Sequence, residues 1–166
     1  MRTERYFDGE MSHTEKDPSR ALSWFQIYTR VKVGKISCAM MIDCSSQINL
    51  VSQTLVDALK LVTIEHPDPY KLAWQGKFVL IKHQVEVPLG FCGFTDSVLC
   101  DVLPYHKYVC SLILGGSWIK KRELQIDKSG NFSWRKFKFL CQGQWAYFEA
   151  YSSEQYLEDR KRRDRA

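Results

Sequence analysis

The sequence predicts an all-β domain with one or two short helices. Three observations carry that expectation: short β-branched and aromatic runs between residues 24 and 151, Gly, Asn, Asp and Pro punctuating them, and helical spacing confined to brief stretches. With 166 residues, 45% hydrophobic and 13% aromatic, the chain suits one domain whose core needs no disulfide or metal staple. The domain is expected over residues 24–151, between a polar N-terminal linker (residues 1–23) and a charged C-terminal tail (residues 152–166).

Taking the elements in order, Phe25-Gln26-Ile27-Tyr28-Thr29-Arg30-Val31-Lys32-Val33 alternates with period two, turns at Gly34-Lys35, and resumes over residues 36–42. This hairpin runs into Asp43. A short strand at Asn49-Leu50-Val51 then leads into a helix reaching about Lys60, with Ser52 as its N-cap. A second hairpin joins Tyr70-Lys71-Leu72-Ala73-Trp74 to Phe78-Val79-Leu80-Ile81 through Gln75-Gly76-Lys77. Further strands are expected over residues 85–89, 96–103 and 108–114. Gly115-Gly116 stops the last of these before a short helix over residues 117–121. A turn at residues 127–131 precedes a final hairpin, residues 132–140 with 145–151.

Composition excludes several classes of protein. No apolar run approaches the ~20 residues that span a bilayer, and the first residues lack the apolar stretch of a signal peptide, so the expected setting is cytoplasmic, with no membrane partner. The six cysteines form no CxxC pair and sit partly inside apolar runs, as small buried hydrophobes do in a reducing compartment. Neither a metal nor another cofactor is expected. The net charge of +5 is scattered, and the basic run near residue 160 is diluted by Glu158, Asp159 and Asp164, which reads as a solvated tail and argues against a nucleic-acid partner.

One acid stands out. Asp43 ends the apolar run Ala39-Met40-Met41-Ile42, where a carboxylate is costly unless it is hydrogen-bonded or shares a proton. By itself that segment fits a turn-capping Asp better. The wider pattern points elsewhere. Met41-Ile42-Asp43-Cys44-Ser45-Ser46-Gln47-Ile48-Asn49-Leu50-Val51-Ser52, then His66-Pro67-Asp68-Pro69-Tyr70-Lys71-Leu72-Ala73-Trp74, then Val98-Leu99-Cys100-Asp101-Val102-Leu103-Pro104, then Leu112-Ile113-Leu114-Gly115-Gly116-Ser117-Trp118 follow in order. Together they resemble the retropepsin-like aspartic protease region of plant gypsy-type retrotransposon polyproteins, over about residues 24–157.

The resemblance implies a retropepsin-like closed β-barrel or sandwich, the one-lobe acid protease fold. It implies an aspartic endopeptidase in which Asp43 is catalytic, Cys44, Ser45 and Ser46 complete the active-site loop, and Leu72, Trp74, Gly76 and Phe78 lie on a substrate-covering flap. Leu114, Gly115 and Gly116 would support the loop from behind. No second apolar-strand-to-Asp loop is present: Asp96-Ser97 lacks the following Gly, and Asp127 sits in a turn-like run. The second aspartate is therefore expected from a second copy of the chain, a homodimer acting on an extended peptide or polyprotein.

The match departs from the family at the loop itself. Ser45 stands where the family has Gly, Cys44 where Ser, Thr or Gly is usual, and Gly116-Ser117 where it has Arg-Pro. These changes open a second reading, a catalytically decayed module that keeps the fold and binds peptides or dimerises. Two further readings rest on residue types alone: a Cys-based hydrolase using Cys38 or Cys44 with His83, and a nucleic-acid-binding barrel.

Overall fold

Two-residue alternation decides where each strand can lie, and in the computed structural model, which describes residues 2–7, 26–104, 110–129 and 135–165, it organises nearly everything. Strands β2 (Gln26–Val33) and β3 (Ile36–Asp43) pair antiparallel through the Gly34-Lys35 turn, with Gln26 opposite Asp43. β4 (Leu50–Ser52) leads into α1 (Gln53–Leu59), whose first turn is capped by the Ser52 hydroxyl accepting from the Leu55 N–H at 3.2 Å. Lys60 closes the helix in the left-handed region at φ 53°.

β5 (Ile64–Trp74) and β6 (Lys77–Phe91) form a long hairpin. Its turn has positive φ at both Gln75 (48°) and Gly76 (78°), the combination that suits the right-handed twist of the arms. β7 (Phe94–Leu103), β8 (Leu112–Leu114) and α2 (Gly116–Lys121) follow. β9 (Gln125–Ile126), β10 (Lys136–Cys141) and β11 (Gln144–Glu149) make a small antiparallel sheet.

The eight-stranded sheet runs β1-β5-β6-β2-β3-β8-β4-β7, where β1 is Arg2–Phe7, and β7 pairs back onto β6. Strands β6, β2, β3, β8, β4 and β7 therefore close into a ring. Inside it lie Val31, Met40, Ile42, Val87, Cys100, Leu112 and Leu114, and Trp118, Phe137 and Phe139 extend the cluster towards the small sheet. A second cluster collects the opposite face: Tyr28, Ala39, Met41, Tyr70, Leu72, Trp74, Val79, Ile81 and Tyr156. β3 is thus buried on both faces, which explains its unbroken apolar run; each fully buried Met or Ile there contributes about 1.5–3 kcal/mol.

Several expectations need correction. Residues 85–89 are the second half of β6, not a separate strand, because nothing in Lys82-His83-Gln84 breaks the ladder. β5 begins at Ile64 and passes through Pro67 and Pro69, residues that read as loop; the pairing shifts between Glu65 and Tyr70, so the prolines occupy a bulge where no ladder donor is required. The turn of residues 127–131 is described as far as Ser129, which bonds Asp127, and the final hairpin is described from Lys136; of the strand expected over 108–114 only Leu112–Leu114 is strand, and residues 108 and 109, like residues 130–134, lie outside the described residues.

Of the expected linker and tail, residues 2–7 and 153–165 form regular elements, and residues 8–23 lie outside the described residues. β1 pairs parallel to β5, and α3 (Ser153–Arg165) packs back on β2. Tyr156 stacks obliquely on Tyr28 at 4.1 Å, and the Arg30 guanidinium donates to buried Asp159 at 2.5 Å. The charges of the tail conceal this, since among the described residues of α3 only Tyr156 and Asp159 are buried. Among the described residues no helix is long and apolar enough to cross a membrane.

Asp96 pins α2 to β7. Burial opposes its ionisation, but hydrogen bonds from Arg122, from the Trp118 indole N–H (3.2 Å) and from the Ser97 N–H (2.8 Å), together with the Arg122 charge, outweigh burial and hold the carboxyl below the usual carboxylate range. A depressed folded pKa gives stability that is whole above the unfolded value of about 3.9 and lost as pH falls through the folded one. Asp96→Asn should therefore cost about 1–2 kcal/mol in urea denaturation near neutral pH, with the gap to wild type closing below about pH 4. A gap that stays constant down to about pH 2 would contradict this assignment of the carboxylate.

Candidate active site

Asp43 is the last residue of β3, and its side chain is 1% exposed. It shares the β3 face of Ala39 and Met41, the face covered by the second cluster. Oδ1 accepts from the Ser45 backbone N–H at 2.9 Å and from the Ser45 hydroxyl at 2.6 Å, while the Gln26 amide makes a long contact with Oδ2 at 3.5 Å. The Ser46 N–H donates to the Asp43 carbonyl at 3.2 Å, closing the turn. Ser45 is exposed and is not among the residues with positive φ, so its Cβ meets no conformational penalty in this loop. Cys44 is half-buried between them.

The loop is held from behind by β8 and the start of α2. The Gly116 N–H donates to the Ser46 carbonyl at 2.5 Å, and the Gly115 N–H to the Asn49 side-chain oxygen at 2.8 Å. At Gly115 an added Cβ would collide with the Ile48 carbonyl oxygen and lie 2.8 Å from that of Ser46. At Gly116 it would meet only the flexible Gln47 amide. Leu114 is fully buried in the ring.

The four flap residues separate. Leu72 and Trp74 are 0% and 4% exposed and belong to the core cluster that contains Met41. Gly76 forms the exposed turn, and Phe78 is 55% exposed. Of the four, Phe78 alone presents side-chain surface to a ligand.

The other acids are engaged elsewhere. Asp96 is paired with Arg122, and exposed Asp127 accepts from the Ser129 hydroxyl at 2.7 Å. Burial pushes the Cys38 thiol up to about 11, leaving it protonated and a poor nucleophile near neutral pH, and His83 lies on the surface. Sequence reasoning assigned no role to Gln26, Asn49 or Asp101, all of which bond within or next to this region. Asn49 and Asp101 were visible only as letters of a motif, and Gln26 only through the register that sets it opposite Asp43.

With that geometry in view, the fold resembles the retroviral protease-like domain of Ddi1 from Leishmania major, with a TM-score of 0.54 and 11% identity over 78% of this chain and 92% of that one. A retropepsin-like aspartic protease from Rickettsia conorii aligns with a TM-score of 0.44 and 14% identity, over 63% of this chain and 78% of the other. A scan against protein-family models and a search of curated proteins return no match. The chain has an all-β retropepsin-like fold, with three short helices among the described residues.

The contacts behind the loop make a direct prediction. Gly115→Ala should destabilise the chain by at least about 2 kcal/mol in denaturant titration, because backbone must move, whereas Gly116→Ala should cost under about 1 kcal/mol. Equal losses for the two variants would show that the Ile48 carbonyl is not the constraint.

Proposed function

We propose that this chain is one half of an aspartic endopeptidase of the kind found in plant gypsy-type retrotransposon polyproteins, completed by a second copy of itself. The observation that carries the reading is the Asp43 cradle: an acid at the end of a doubly buried strand, with one oxygen held by the backbone N–H two residues on. The four ordered motifs and the retropepsin-like fold support it. Two such carboxylates brought together at a two-fold axis cannot both ionise comfortably, so they share a proton. The ionised one takes a proton from a bound water as its oxygen adds to the scissile carbonyl carbon, and the protonated one delivers its proton to the carbonyl oxygen. Collapse of that tetrahedral intermediate, with a proton passing to the leaving nitrogen, breaks the peptide bond without metal or covalent intermediate.

In this reading the β5–β6 hairpin is the flap, and its tip at Gly76 and Phe78 reaches over an extended substrate whose backbone supplies most of the hydrogen bonds. Ser45 serves the loop as the family's Gly does, through its N–H, and its hydroxyl adds a second donor to the same oxygen.

One observation favours the second reading, a decayed module that binds peptides or dimerises. In the single chain Asp43 is 1% exposed, and Leu72 and Trp74 of the hairpin assigned to the flap are packed in the core, so neither water nor substrate meets the carboxylate without movement around it.

The readings separate on incubation with a peptide library at mildly acidic pH, with and without pepstatin. Cleavage that pepstatin blocks, and that Asp43→Asn reduces by at least about a thousandfold, is the expected result. Cleavage surviving that substitution would eliminate the aspartic mechanism, and a proven dimer that cuts nothing would establish the decayed module. Sedimentation across micromolar concentrations should show a reversible dimer; a strict monomer at all of them contradicts the shared dyad. Ser45→Gly keeps the N–H donor but deletes the hydroxyl, so cleavage that rises severalfold would identify the extra donor as a brake on Asp43.

A further inference from the structure

Away from Asp43, a buried polar cluster gathers around Asp101 on β7, which is 7% exposed. The Tyr70 hydroxyl donates to Oδ2 at 2.5 Å, the Gln84 amide to Oδ1 at 3.0 Å, and His66 Nε2 lies 3.3 Å from Oδ1. His66 Nδ1 accepts from the Asp68 N–H at 3.0 Å, which leaves the ring proton on Nε2, directed at Asp101. Neither ring nitrogen is then available as a general base. The His66 ring also meets Tyr70 edge-on at 5.4 Å.

The location gives the cluster its meaning. His66 and Tyr70 bracket the proline bulge of β5, and beyond Tyr70 the regular arms of the hairpin begin. Gln84 is the β6 residue paired directly with Asp101, at the point where β6 passes from the hairpin into the closed ring. The Asp101 backbone N–H donates to the Asn49 carbonyl at 2.8 Å, and the Asn49 side chain accepts from Gly115, whose neighbour Gly116 holds Ser46. A continuous set of hydrogen bonds therefore runs from the loop that carries Asp43 to the root of the hairpin.

We propose that Asp101 is a positioning residue: it clasps the bulged root of the β5–β6 hairpin to the strand that leaves the Asp43 loop, and so sets where the hairpin sits over that loop. The β5–β6 ladder is interrupted at the bulge that holds Pro67 and Pro69, so side-chain bonds to Asp101 replace part of what an unbroken ladder would supply. The consequence for peptide cleavage rests on the endopeptidase reading; the consequence for hairpin mobility does not.

The test uses hydrogen exchange on the full chain with Asp101→Ala, with Tyr70→Phe as a milder variant that deletes only the hydroxyl, and with Asp101→Asn, which keeps an oxygen for Tyr70. Exchange of amides 71–80 should rise about tenfold or more in Asp101→Ala, less in the other two, while β3 and β8 stay within about twofold of wild type. In a cleavage assay the peptide KM should rise about tenfold with kcat changed by less than about threefold. An even rise in exchange across all strands, unchanged exchange in the hairpin, or a loss confined to kcat would each overturn the proposal. Because exchange is read without substrate, a chain that cuts nothing sinks the endopeptidase reading while leaving this one to be judged on its own.

Discussion

Burial of β3 on both faces is the constraint from which the rest follows. One face turns into the closed ring and the other is covered by the β5–β6 hairpin and α3, so Met40, Met41 and Ile42 are all inaccessible to water. A strand in that position has no solvated side on which to place a charge. Asp43, its last residue, is buried there with its Oδ1 met by donors from the chain that immediately turns back, the Ser45 N–H and hydroxyl. The parallel pairing of β3 with β8 places Gly115 and Gly116 beside that turn, and Gly115 must lack a side chain because the returning backbone lies against it.

The same requirement recurs wherever the fold buries an acid. Asp101 collects Tyr70, Gln84 and His66; Asp159 takes the Arg30 guanidinium; Asp96, nearer the surface, takes Arg122 and the Trp118 indole. In each case the partner comes from a different element, so the polar contact also fixes how two elements meet. A carboxylate that loses its partner in such a place costs more than the bond is worth in water, which makes these pairs unforgiving of single substitutions. They supply what the apolar clusters cannot, a defined register between hairpin, ring and helices.

How far these features can be read in the residues depends on the range of the interaction that creates them. The β2–β3 hairpin, α1 with its Ser52 cap and the Gln75-Gly76 turn are local, and period and turn chemistry suffice for them. β5 was cut short because Pro67 and Pro69 deny local support to a strand, and only a bulge opposite β6 makes room for them. α3 was hidden because a helix with Tyr156 and Asp159 as its inward residues has no apolar stripe; what holds it are Tyr28 and Arg30, more than a hundred positions earlier. At the site, Asp43 was legible from its apolar approach and the motif order. Gln26 and Asp101 were not, since their roles exist only once strands far apart in the chain are side by side. The burial of Leu72 and Trp74 belongs with these: alternation says that they share a face, but not that α3 and β3 close over it.

Ser45 is the residue at which the physical argument turns furthest from the motif. A Gly in the family's position suggests a loop that only Gly can make, and a side chain there suggests a loop that no longer forms. Yet the donor that matters to Asp43 is a backbone N–H, which every residue except Pro possesses, and Ser45 delivers it at 2.9 Å without a positive φ. The side chain then adds something the Gly lacks, a hydroxyl at 2.6 Å on the same oxygen. The Ser45 side chain therefore does not prevent the loop from holding Asp43. In the proposed reading access matters as well: Asp43 is 1% exposed, and the hairpin assigned to the flap has Leu72 and Trp74 packed in the core, so the stiffness of its root bears on cleavage alongside the loop residues.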